Sequence, residues 1–388
     1  MKPKQPDFYK AVVKTVFTDQ QYWETFRMGK VSFHWLKQAL KRHIKGKHTN
    51  FKKPLSCGQQ LCTCLLYLST GASFKCIAIM MHSAPSTVQK AVHGVNKAIC
   101  NEFHSFCAFP TTIEGMKQNA AGFYKRGTKR GGAGVLSRLL FMAMQLTIAA
   151  KASPQLMCML YVIILDGFIE VLVGNPGSMH DSNVFRSSNF WRSIHNGLGS
   201  VLWTGRSLVL GTQVPFQIIA DSAYACTSFV LPAFKDGVAG QDRNKKRFNR
   251  KHAATRNVVE RAFGRLKTRW RALLKENELQ LKNQNFMILA CFCLHNICEV
   301  RNERCPPNDA ELHDLVRMYK LKFPFEQGVV GLDMDVDDGD IDEYADVAMP
   351  DPQQDVPMPN DMSAHGNRVR DAIVGFFNQR QGGSDDEA

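Results

Sequence analysis

Glu260 is the only acidic residue among 13 lysines and arginines between Arg243 and Lys275. As a surface ion-pair partner it would contribute about 0–1 kcal/mol, and one carboxylate for so many cations is an odd allocation. Val259, Phe263, Leu266, Trp270 and Leu273 recur at helical spacing, so one face of this helix packs on other structure and position 260 lies beside that stripe. A carboxylate so placed suits a metal ligand, with the neighbouring cations holding a phosphodiester. Two-metal phosphodiester chemistry needs about three carboxylates converging from different elements. Asp221 directly follows the apolar run FQIIA, and Asp181 follows FIEVLVG after a turn through Pro176-Gly177. Either aspartate also reads as a helix cap or turn former. Residue types alone leave both uses open. Arg256, Arg261, Arg265 and Lys267 surround Glu260 in sequence and are the candidate phosphate contacts.

The elements that must position these groups fall in the middle of the chain. MLYVIIL, FIEVLVG and VPFQIIA are short Val/Ile-rich runs bounded by turn residues, the pattern of buried strands, and Asp166-Gly167 between the first two is a hairpin signal. With the basic helix and a following apolar helix, NFMILACFCLHNICEV, they predict an α/β domain over 130–305. The glycine-rich basic stretch AGFYKRGTKRGGAG, 121–134, separates it from a helical region over 55–120. In that region Gly71 ends one helix, and HSAPS divides a second from a third that Ser86 can cap. Three short helices with a tight turn match a helix-turn-helix unit or a small packing bundle. Residues 1–54 are mixed and basic, ending in KRHIKGKHTNFKKP, which reads as a nuclear-import signal or a charged linker. Residues 331–388 form an acidic tail expected to be disordered. Only VRDAIVGFF in it could make a short amphipathic helix.

Bulk properties narrow the partners. Residues 331–388 hold 15 Asp/Glu and 3 Arg, a local charge of −12, and the preceding 330 residues hold 46 Lys/Arg and 20 Asp/Glu, or +26. Such a body is a candidate polyanion binder, since each cation placed on a phosphate releases condensed counterions. The 12 cysteines occur in a long chain that opens MKPKQPDFYK with no apolar stretch behind the lysines, so reduced intracellular thiols are expected. The tightest cluster is Cys291, Cys293, His295 and Cys298. It lacks a second CxxC-type half and reads as core in preference to zinc. No apolar run reaches the roughly 18–20 residues that span a bilayer.

Four stretches together, VLVGNPGSMHDSNVFRSS, IIADSAYACTSFVLPAF, FNRKHAATRNVVERAFGRLKTRW and CLHNIC, resemble in this order the PIF/Harbinger family of transposases and transposase-derived nucleases. The likeness runs from about Leu55 to Val300, and LSTGASFKCIA with APSTV looks like that family's N-terminal helix-turn-helix. The resemblance implies a ribonuclease-H-like fold with a DDE site that uses Mg²⁺ or Mn²⁺ to cut and join DNA. It carries Asp181 onto the aspartate after the PGS motif, Asp221 onto that of D-x-x-Y, and Glu260 onto the glutamate of V-V-E-R-x-F-G-R-L-K. It also implies a nuclear protein working with a separate Myb/SANT-like partner. The oligomeric state is left open.

One motif departs from the pattern. The family's first catalytic aspartate sits on the first core strand, in a segment reading like G-A-I-D-G-T. Here GVLSRLLFMAMQLTIAAKASPQLMCMLYVIILDG takes that place, with no acid between Glu114 and Asp166. Asp166 matches a later turn position and is a weak substitute. Two functions are therefore expected: a metal-dependent DNA nuclease, or a catalytically inactive DNA-binding derivative.

Overall fold

The computed structural model describes residues 8–44, 54–107, 112, 114, 140–147, 156–162, 167–176, 181–204, 206–240, 242–275, 278–303 and 360–379. The N-terminal part is helical: α1 (Asp19–Phe26), α2 (Lys30–Leu40), α3 (Cys57–Thr70), α4 (Phe74–Met80) and α5 (Pro85–Phe103). Two of these helices lie within the basic first 54 residues. Thr18 and Ser56 start α1 and α3 with capping boxes, each side chain accepting from the N3 backbone while Gln21 or Gln59 reaches back. Gly71 ends α3 in the left-handed region at φ 61°, as its sequence position predicted. The cap of α5 differs from expectation. Ala84 takes the N-cap and Pro85 the first helical position, ahead of Ser86. Proline's fixed φ and missing N–H suit that site, so the helix begins before the serine can cap it.

The α/β part is built on a sheet that, among the described residues, has five strands in the order β3-β2-β1-β6-β7. These are β1 (Leu140–Thr147), β2 (Leu156–Val162), β3 (Phe168–Pro176), β6 (Gln217–Ala220) and β7 (Val230–Pro232), with a separate hairpin of β4 (Ser207–Val209) and β5 (Thr212–Val214). Strands β1, β2 and β3 form an antiparallel meander, and β6 and β7 join it in parallel. The α/β class is thus observed. The hairpin expected around Asp166-Gly167 is the β2–β3 pair, closed by Val162 opposite Phe168. Five residues, 163–167, separate the two strands where a two-residue turn was expected, and Asn296 holds both the N–H and the C=O of Phe168 at the start of β3; Asp166 itself lies outside the described residues.

Between β3 and β6 run α6 (Asp181–Ser187), α7 (Asn189–Ser193) and α8 (Gly199–Thr204); after β7 come α9 (Asp236–Ala239), α10 (Arg243–Arg269) and α11 (Leu281–Val300). Phe263 and Leu266 of α10 and Trp270 at its C-cap are buried as the spacing predicted, and Phe248 and His252 extend that face toward its N-terminus. Leu273 is also buried, in a 3₁₀ turn just past the helix. Val259 lies in α10, its side chain outside the described residues. Helix α11 carries the CLHNIC motif, and Cys291, Cys293, His295 and Cys298 are all buried in one core with residues of α3 and α5. Burial pushes the Cys298 thiol up to about 11.

Within the acidic tail, the segment containing VRDAIVGFF is a helix, α12 (Met362–Gln379), seated on the domain. Val369, Ala372, Ile373 and Phe377 are buried, and Arg247 of α10 donates to the Phe377 carbonyl at 3.1 Å. A Cβ on Gly366 would overlap the Thr227 backbone, so only glycine permits this approach. No helix among the described residues is long and apolar enough to cross a membrane.

Candidate active site

Asp221 stands one residue past β6, at the C-terminal end of a strand whose four residues are all buried. Its Oδ1 accepts from the Ala223 N–H at 3.1 Å and the Ser222 hydroxyl at 3.2 Å, and its Oδ2 lies 3.1 Å from Nη1 of Arg256. Burial pushes the Asp221 carboxyl up, but the Arg256 guanidinium and the two donors outweigh it and hold the group below the usual carboxylate range. The side chain is still 40% exposed, so the site opens to solvent.

Helix α10 reaches this point by crossing the sheet. Leu231, Ile219, Ala143, Val162 and Phe168 are successive partners from β7 to β3 and so form one row. His252 bonds through Nε2 to the Leu231 carbonyl at 3.0 Å, and the Phe263 ring packs on Phe168 at 5.3 Å. Eleven helical residues cover about 16 Å, and four inter-strand steps about 19 Å. The helix therefore lies nearly perpendicular to the strands. Arg256, one turn after His252, falls at β6 and meets Asp221. Glu260, one turn further, falls on the same flank in front of β1 and β2.

Asp181 is the first residue of α6. Phe185, one turn on, packs against Tyr224 at 5.8 Å, and the Tyr224 N–H donates to the Asp221 carbonyl at 3.1 Å. The backbone thus brings α6, the end of β6 and the middle of α10 into one neighbourhood. The side chains of Asp181 and Glu260 lie outside the described residues. Among the described residues no group of three His, Cys, Asp or Glu side chains could hold a metal ion.

The candidate phosphate contacts have protein partners. Arg256 is on Asp221, Arg265 is 2.8 Å from Glu299, and the Lys267 ammonium sits 5.7 Å from the Phe263 ring centre. Arg261 is half-buried. Arg243, Lys246 and Arg250 in the first half of α10 are exposed instead; they recur at i, i+3 and i+7, a spacing that could have singled them out.

Comparison with known proteins decides the class of this domain. Residues 150–296 match the model of the DDE superfamily endonuclease family. The chain carries a DDE superfamily endonuclease domain. It is 21% identical to an Arabidopsis thaliana protein named ALP1-like over 299 residues, covering 72% of this chain and 71% of that protein. It is also 21% identical to a mouse protein named as a candidate nuclease, HARBI1, over 290 residues, covering 72% of this chain and 78% of that protein, and 20% identical to the human one. No solved structure matches the chain significantly. The resemblance read from the four motifs is borne out at the level of this family. The match begins after β1.

Proposed function

We propose that this chain grips DNA with its DDE domain and, as its sequence stands, does not cut it. One observation carries the reading: strand β1, LFMAMQLT, contains no acidic residue, although it is the strand beside β6 and hence beside Asp221. DDE superfamily endonucleases use divalent metal, and a hard cation such as Mg²⁺ or Mn²⁺ takes carboxylate oxygens from several elements. Here β6 supplies Asp221, α10 and α6 would supply Glu260 and Asp181, and β1 supplies none. This donor set does not fit a pair of cations.

The grip is assigned to Arg243, Lys246 and Arg250, which line the solvent side of the helix that leads to Asp221. An antiparallel meander continued by two parallel strands, with a helix across it, supports reading the core as ribonuclease-H-like. The turn between α4 and α5 supports a helix-turn-helix as a second DNA contact. Nuclear residence and a Myb/SANT-like partner belong to this reading by resemblance. Replacing Arg243, Lys246 and Arg250 with alanine should weaken DNA binding and flatten its log–log salt dependence by roughly 2 to 3, at about 0.9 per phosphate contact. An unchanged slope would remove α10 as the DNA-gripping surface.

A second reading, metal-dependent cleavage through Asp181, Asp221 and Glu260, is favoured by the crossing of α10, which sets Glu260 one turn from the partner of Asp221. It requires cleavage that Asp221→Ala abolishes.

A further inference from the structure

The geometry points to Gln145 as the residue standing where the first strand would have to present a carboxylate, and to a single substitution there as what separates this site from a cation-holding one. This rests on the non-cutting reading above and names the position responsible. Strand β1 runs parallel to β6 with Ala143 beside Ile219. Extending that register two residues along both chains puts position 145 level with Asp221, which stands one residue past the end of β6. Because strand residues alternate between faces, 145 shares a face with 221, while Met144 falls on the other face. Gln145 is also held in register from the opposite side, where it pairs with Leu160 of β2.

The helix gives an independent fix. His252 marks β7, Arg256 marks β6 and Phe263 marks β3, so the stretch of α10 that faces β1 and β2 is the one containing Glu260. The same flank carries Arg256 to a group two residues above the row, at Asp221. Level with Asp221, on the strand crossed by the turn of α10 that contains residue 260, the position is 145. By backbone placement, position 145 therefore lies beside 221 of β6 and under that turn of α10. A neutral amide there offers a cation one weak carbonyl oxygen, whereas a carboxylate would add a full negative charge and oxygen donors suited to a hard divalent ion.

The test uses the full chain and Mn²⁺ itself, with free Mn²⁺ followed by electron paramagnetic resonance. Gln145→Asp should tighten Mn²⁺ binding by roughly tenfold or more, about 1.4 kcal/mol. Adding Asp221→Ala to it should erase that gain. Gln145→Glu, which keeps the shape of the native side chain, serves as the second variant should the shorter aspartate disturb the strand; Met144→Asp, one residue away on the other face, should gain nothing. The inference is overturned if neither substitution at 145 tightens Mn²⁺ in protein with an unchanged unfolding midpoint, or if Met144→Asp tightens it equally. Should the unsubstituted chain cut DNA, the non-cutting reading fails separately, and the place of residue 145 is still decided by whether the added carboxylate tightens Mn²⁺.

Discussion

Replacing Asn296 with alanine should cost this protein more than most single substitutions. Asn296 is buried in α11, and its amide joins three parts of the fold. Its Oδ1 accepts from the Phe168 N–H at 2.8 Å, and its Nδ2 donates to the Phe168 carbonyl at 2.6 Å and to the Phe106 carbonyl at 2.7 Å. Phe168 opens β3, which is an edge strand among the described residues. Phe106 belongs to the turn that follows α5. Alanine would leave two buried backbone groups of Phe168 and the half-buried Phe106 carbonyl without this partner, at about 1–3 kcal/mol for each buried group. Partial relaxation brings the expected loss to about 3–5 kcal/mol, against a typical total of about 5–15 kcal/mol. Asn296→Asp should lose at least as much, since it retains the acceptor but sets a carboxylate against two carbonyl oxygens. Urea unfolding measures this directly, with the exposed Asn101→Ala as control. A loss below about 1 kcal/mol for Asn296→Ala, or one equal to the control, would refute the clamp.

Two further outcomes follow from described contacts. Burial lowers His252 from 6.5 to about 4, with the nearby Arg256 adding to the shift; the unfolded chain therefore takes up a proton between those values that the folded chain refuses. Stability should fall by about 3 kcal/mol as pH drops from about 6.5 to 4, and His252→Gln should flatten that part of the profile; an unaltered slope would rule out His252 as its source. Gly366→Ala should loosen α12 from the domain by about 2 kcal/mol through overlap with Thr227. Limited proteolysis should then release the C-terminal helix sooner, and an unchanged cleavage rate would mean the helix is not seated there.

Much of the α/β part was readable from local pattern. MLYVIIL, FIEVLVG and the IIA of VPFQIIA fall on or overlap β2, β3 and β6, because buried strands need continuous apolar runs. The apolar stripe of α10 was readable for the same reason, and so was the core role of the CLHNIC cysteines. Strand β1 was harder, since LFMAMQLT is rich in Met and Leu and has the composition of a buried helix. Asn296 gave no signal of its own: its three partners lie 128 and 190 residues away in sequence. The ion pair between Arg256 and Asp221 was hidden likewise, because only the crossing angle of α10 brings the two together. Sequence spacing offered four basic residues near Glu260 as phosphate contacts, and packing commits Arg256 and Arg265 to carboxylates. The exposed set, Arg243, Lys246 and Arg250, lies two to four turns earlier.

Incubating the purified full chain with labelled duplex DNA and Mg²⁺ or Mn²⁺, and scoring nicks alongside retained DNA, separates gripping from cutting. Salt-sensitive retention with no metal-dependent strand scission is expected. Scission that disappears in Asp221→Ala would contradict it and establish a working nuclease.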